Sequence, residues 1–163
     1  MVSLNHPTQV VLVTSQAEVD VLGKTQVKED IITIGWHMPT SFEPMLYAIS
    51  VGKTRFSCKL IRESKAFVVN FMPYTLGKEV LFCGTRSGEH MDKFKESGLA
   101  KEGAEKIDCP RVKEASAYIE CEVIQEIETG DHIIFVGSVV HSEAKNEAKR
   151  LLQKSHTEFT TTE

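Results

Sequence analysis

The chain has 163 residues, a formal net charge of −4 and an apolar fraction of 41%, which suits one domain with one hydrophobic core. No run of five or more Lys or Arg occurs, which argues against a grip on nucleic acid by phosphate neutralisation, and no apolar stretch approaches the roughly 18 to 20 residues of a membrane-crossing helix. Cys58, Cys83, Cys109 and Cys121 form no C-x-x-C pair and no basic leader precedes an apolar run, so a reducing cytoplasm is the expected location.

Thr8 to Thr14 is short and β-branched and reads as a strand. The polar stretch Ser15 to Glu29, with Gly23 in it, reads as a hairpin loop or irregular connection. Ile31 to Trp36 and Leu46 to Val51 are the next strands, separated by a Pro39-to-Pro44 loop too Pro-rich for a helix. Phe56, Leu60 and Ile61 recur at helical spacing, so Phe56 to Glu63 is a short helix with Thr54 or Ser57 placed to cap it. Cys58, at that helix start, reads as a buried structural thiol rather than a thiolate.

Phe67 to Met72 is a strand, apolar but for Asn70, and Pro73 ends it. Thr75 to Phe82 and Glu89 to Lys95 read as short helices turning Leu76/Val80 and Met91/Phe94 inward, the second capped by Ser87. Gly98 to Arg111 is loop-like. Ala117 to Val123 alternates, with Glu120 and Glu122 on the solvent side of a half-exposed strand. Glu128-Thr129-Gly130-Asp131 is turn chemistry joining it to an apolar strand, His132 to Val140. Glu143 to Lys154 places Ala144, Ala148, Leu151 and Leu152 on one helical face. A single domain over 1–155 and a flexible tail over 156–163 follow. Strands predominate and βαβ alternation is absent, so an antiparallel barrel is expected rather than a doubly wound sheet.

Two Gly-Lys-Thr tripeptides, at Gly23 and Gly52, lack the Gly five residues earlier that a phosphate loop needs; Glu18 and Tyr47 stand there. His141-Ser142-Glu143 has no following C-x-x-C and reads as an ordinary strand end. No metal site is expected.

Thr33 to Ser41 fits a flat heteroaromatic ring: a strand running into a loop offers backbone donors and acceptors, and Trp36 and Met38 offer an apolar wall, although such a Trp is also ordinary core material. Arg55-Phe56-Ser57 at a helix start supplies a guanidinium, a hydroxyl and helix N-terminal amides, the donor set of a phosphate monoester; an exposed Arg beside a capping Ser is the plainer alternative. Arg86-Ser87-Gly88 with Lys93 looks like another such set, although in isolation it reads as a solvated face.

Six blocks in order carry a resemblance: Pro7 to Thr14; Thr33, Trp36, Pro39, Ser41, Phe42 and Pro44; Arg55-Phe56-Ser57; Phe67 to Asn70; Gly84-Thr85-Arg86-Ser87-Gly88 with Lys93-Phe94; and Gly130-Asp131-His132 to Gly137. Over roughly residues 7 to 141 the chain resembles the flavin reductase-like, FMN-binding split-barrel family, including the flavoredoxins. The resemblance implies a mainly β split barrel with short helices that binds FMN at a homodimer interface. It places the phosphate near Arg55 and Ser57, with Arg86, Ser87, Gly88 and Lys93 close by. The ring lies near Thr33, Ile34, Gly35, Trp36, His37 and Met38, Asn70 is near the cofactor, and His132 is the candidate proton donor. Ser41, Ser50, Val51, Gly52 and Phe56 complete the cofactor-binding set.

Departures from the pattern are Asp30 for Asn, Ile32 for Met, and Met45 and Tyr47 in a run that is usually Pro-Leu-Ile. An anionic Asp30 beside the ring would disfavour its reduced anion unless the carboxylate points away. The function implied is a flavin-dependent oxidoreductase fed by reduced nicotinamide or a redox protein. The alternatives are a flavoredoxin-type electron carrier and a non-enzymatic cofactor- or partner-binding barrel.

Overall fold

The computed structural model describes residues 6–162. In chain order the elements are β1 (Thr8–Gln9), β2 (Val11–Val21), β3 (Lys24–Ile34), β4 (His37–Phe42), β5 (Met45–Gly52), α1 (Phe56–Ser64), β6 (Ala66–Phe71), a 3-10 turn (Tyr74–Leu76), α2 (Gly77–Thr85), α3 (Lys93–Ser97), β7 (Lys101–Gly103), β8 (Pro110–Val112), β9 (Ala117–Thr129), β10 (His132–Ala144), β11 (Leu152–Gln153) and β12 (Phe159–Thr160). Among the described residues no helix is long and apolar enough to cross a membrane.

Seven antiparallel strands form the main sheet in the order β3-β2-β6-β9-β10-β5-β4. Its outermost strands, β3 and β4, are consecutive in the chain, joined only by Gly35 and Trp36. Such a link spans at most roughly 11 Å, whereas the outer strands of a flat sheet of this width would stand roughly 29 Å apart. The sheet is therefore curled. No ladder joins β3 to β4, so the expected barrel is an open, curled sheet whose edges meet through the chain.

Curling gives every central strand two buried faces, and a side-chain period of two sorts the apolar residues between them. Val11, Val13, Ile32, Ile34, Phe67, Val69, Cys121 and Phe135 point inward, with Cys58 and Ile61 of α1 packed against them. Val10, Leu12, Ile31, Val68 and Tyr118 point outward under Val80, Cys83, Phe94, Val112 and Leu151.

Several expectations need correction. Ser15 to Glu29 is no loop: β2 and β3 pair from Val11↔Ile34 to Val21↔Lys24 around a tight Leu22-Gly23 turn, both residues at positive φ. The Pro39-to-Pro44 loop is mostly strand; Pro39 is tolerated in β4 because that strand is an edge with a bulge between Pro39 and Ser41. Neither Thr54 nor Ser57 caps α1, whose N-cap is Arg55 without a side-chain bond. The helix expected over Glu89 to Lys95 starts at Lys93 and is capped by Asp92, not Ser87. Part of the Gly98-to-Arg111 loop pairs as β7 and β8.

Glu120 is fully buried, accepting from the amides of Glu105 and Lys106 and lying 3.6 Å from Arg111. The helix expected from Glu143 to Lys154 is absent: β10 runs to Ala144, Tyr74 donates to the Lys149 carbonyl, and Leu151 is buried where Val10 donates to its carbonyl. The tail expected to fray from residue 156 turns back as β12, which pairs with β11 and packs Phe159 against the outer core.

Candidate functional site

α1 begins where the chain leaves β5. The Arg55 amide closes a turn onto the Gly52 carbonyl and Lys53 donates to the Asp131 carbonyl of the β9–β10 hairpin, so helix start and hairpin tip are fixed together. Beside them lies a pocket of about 230 Å³ lined by Thr54, Arg55, Phe56, Thr85, Arg86 and Ser87, with Asp30, Ile32 and Lys93 as its remaining lining. The exposed Arg55 and Arg86, the hydroxyl groups and the amino end of α1 all favour an anion.

Asp30 and Lys93 are not free for that anion. Asp30 Oδ2 accepts from Ser57 Oγ at 2.5 Å, and Lys93 Nζ lies 3.1 Å from Asp30 Oδ1. The Lys93 contact with Asp30 is electrostatic, because the ammonium directs its hydrogen bonds to the carbonyls of Ile31 at 2.6 Å and Cys83 at 3.0 Å. Ser57 and Lys93, both expected on the phosphate, are thus spent on Asp30 and the backbone. Gly88 is read differently too: a Cβ there would overlap the Asp30 carboxylate, so its role is close packing.

Away from the anion pocket the site continues through two spaces. Thr33, Gly35, Val80, Leu81, Gly84 and Thr85 line a cleft of about 140 Å³ that shares Thr85 with the anion pocket. Gly84 packs closely there: a Cβ would stand 3.0 Å from Thr33 Cβ. Beyond Gly35 lies an apolar shelf of about 350 Å³ lined by Trp36, His37, Met38, Ala48, Ser50 and Ile134, among others. Trp36 is 52% exposed and its ring lies 4.9 Å from that of His132, tilted by 40°. His132 Nδ1 is 2.7 Å from Asp131 Oδ1, and this hydrogen bond holds the Asp131 carboxyl below its ordinary range.

The remaining candidates divide. Thr33, Gly35, Trp36, Met38, Ser50, Arg55, Phe56, Arg86 and Ser87 line one of these spaces, and Gly52 backs onto Arg55 and His132. Ile34 and Val51 bury their side chains in the inner core. Ser41 lies on β4 beyond the shelf, across from Leu46. His37 lines the shelf but is committed: Nε2 donates to the Gln9 carbonyl at 2.8 Å and Nδ1 accepts from Tyr47 Oη at 2.7 Å. Burial lowers its pKa, and burial pushes Tyr47 up to about 12.

Asn70 is also removed from the site. It is fully buried, donates to the Leu12 and Val68 carbonyls and Thr14 Oγ1, and accepts from the Val112 amide. It fastens β7–β8 to the sheet. Sequence reasoning missed Thr54, which belonged to a tripeptide rejected as a phosphate loop, and Thr85, which stood inside a recognised block. It also missed Gln153, His156 and Phe159, which line the cleft from the C-terminal segment.

The geometry offers an anion grip at one end and a flat apolar surface at the other, joined by a narrow cleft. Solved structures share this fold. An FMN-binding protein from Thermus thermophilus superposes with a TM-score of 0.85 at 21% identity, covering 98% of this chain and 88% of its own. The flavoredoxin of Desulfovibrio vulgaris (Miyazaki F) superposes at 0.83 with 22% identity, over 99% and 90%. An uncharacterized protein of Archaeoglobus fulgidus is 34% identical over 141 residues, 86% of this chain and 75% of the relative. Residues 3–162 match the Flavin reductase like domain, and the chain belongs to that family.

Proposed function

We propose that this protein is an FMN-binding oxidoreductase that passes electrons from a reduced nicotinamide or a redox protein to a second acceptor. The observation that carries the reading is the pairing of Arg55 and Arg86, at the amino end of α1, with the open Trp36 shelf. Two guanidinium groups and the hydroxyls of Thr54 and Ser87 suit a phosphate monoester, and Gly84 lets α2 approach Thr33 closely enough to leave only a narrow cleft. The proteins of this fold named above, an FMN-binding protein and a flavoredoxin, support the choice of FMN.

When bound, the flavin supplies the two-electron chemistry; the chain supplies grip, wall and electrostatics. Arg55 and Arg86 would hold the phosphate, and Trp36 and the backbone after Ile34 would line the ring subsite. Asp131 orients His132, the proton donor at the shelf's rim. Ser57 and Lys93 hold the Asp30 carboxylate at the back of the anion pocket, and it does not line the Trp36 shelf. Trp36, Met38, Phe42 and Met45 expose apolar surface along β4 and β5, and a second copy of the chain covers it in a homodimer.

Arg55→Ala should weaken FMN binding by about 1.5–3 kcal/mol, or roughly ten- to more than a hundred-fold, while riboflavin, lacking phosphate, loses little. Equal losses for both flavins would remove the phosphate assignment. Bleaching of the bound flavin by NADH or NADPH marks a reductase, and a flavin that stays oxidised marks a carrier.

A further inference from the structure

The cleft between the anion pocket and the shelf has one wall from the C-terminal segment: Gln153, His156 and Phe159 face Thr33, Gly35 and Thr85. This segment is anchored through its two strands. β11 pairs with β1 through Gln9↔Leu152 and Thr8↔Gln153, and Phe159 lies against Gly77, where a Cβ would come within 3.4 Å of its ring. Within the loop the hydrogen bonds close on the loop itself: Lys154 and Ser155 donate to the Glu158 carbonyl, and Gln153 Nε2 donates to the His156 carbonyl. Gln153 Oε1 stands 3.7 Å from where a Gly35 Cβ would lie and accepts from no described residue. Gly35 is the residue that the cleft shares with the Trp36 shelf.

A flavin ring carries an imide edge, a carbonyl, an N–H and a second carbonyl in a row. The carbonyls need donors and the N–H needs an acceptor. Thr33 Oγ1 spends its proton on the Val80 carbonyl at 2.6 Å and Thr85 Oγ1 on that of Leu81 at 3.0 Å, so neither hydroxyl is left to donate to a ring carbonyl. The amide oxygen of Gln153 lies at the junction, 3.7 Å from where a Gly35 Cβ would stand, and accepts from no described residue, while the second hydrogen of its amide nitrogen remains for a neighbouring carbonyl. Building on the FMN reading above, we propose that the C-terminal hairpin is part of the flavin site, with Gln153 recognising the imide N–H and Phe159 anchoring the hairpin over the cleft.

The test compares FMN with FMN methylated at the imide nitrogen on wild type, Gln153→Leu and Phe159→Ala. Wild type should prefer FMN by about ten-fold; Gln153→Leu should lose most of that preference, with its affinity for the methylated flavin nearly unchanged. Phe159→Ala should release FMN faster while thermal melting shows it folded. Retention of the wild-type preference by Gln153→Leu would overturn the proposal. Arg55→Ala should weaken both flavins equally, which separates the two ends of the site. A wild-type protein that takes up neither flavin removes the FMN reading and this inference with it.

Discussion

Lys93 reaches across from α3 to stand 3.1 Å from the carboxylate of Asp30 in β3, with the two side chains only 3% and 2% exposed. The pair sits at the back of the anion pocket and leaves Arg55 and Arg86 as its exposed guanidinium groups. Removing one partner of a buried ion pair strands the other, at a cost of about 3–5 kcal/mol. Lys93→Met should therefore lower stability by that amount in urea unfolding, and adding Asp30→Asn should recover part of it. Additive losses would show that the two side chains are not coupled.

Gly88 backs directly onto that carboxylate. Because Asp30 is pinned by Ser57 and Lys93 it cannot yield to a new methyl group. Gly88→Ala should destabilise by about 1–3 kcal/mol and weaken phosphate binding through displacement of Arg86 and Ser87. Calorimetry and FMN titration measure the two effects; an unchanged melt would mean that the loop moves freely.

His37 is held neutral by burial, with both ring nitrogens engaged. Its folded pKa lies below the ordinary value of about 6.5, so between the two values the unfolded chain binds more protons than the folded one. Its stabilising contribution is then complete above about 6.5 and declines as pH falls through and below that value. His37→Phe should be less stable at neutral pH, having stranded the Gln9 carbonyl and Tyr47 hydroxyl, but should show a shallower loss on acidification. Thermal melts across the acidic range test the slope.

All four cysteines are buried and free. Burial raises the thiols of Cys58, Cys83 and Cys121, the last two to about 11 and about 12. Native protein should leave a chromogenic disulfide reagent almost unreacted, with full labelling only in denaturant. Fast labelling of Cys58 in native protein would contradict its burial on the inner face of α1.

The inner and outer cores were legible wherever a strand's period carried them: Val11 and Val13 against Val10 and Leu12, or Phe67 and Val69 against Val68. That Arg55 and Arg86 belong to one pocket was legible because both were read as cations beside a helix start, and folding brings the two together. Ser57 and Lys93 were misread because their partner, Asp30, lies 27 and more residues away and only folding brings it near. Asn70 looked functional as a lone amide in an apolar strand, yet its partners come from β2 and β8. The missing helix after Glu143 is a tertiary override: Ala144 and Ala148 fit a helical face, but pairing of Arg150 with Pro73 and burial of Leu151 fix the chain extended.

The Gly35-Trp36 link gives the molecule a seam with no slack. An extra residue is harmless in most surface turns, but at this seam it would let all seven strands relax their curvature together, like a cuff unbuttoned. Phe67 and Phe135 would lose their enclosure, and Trp36, riding on the seam, would feel the opening first.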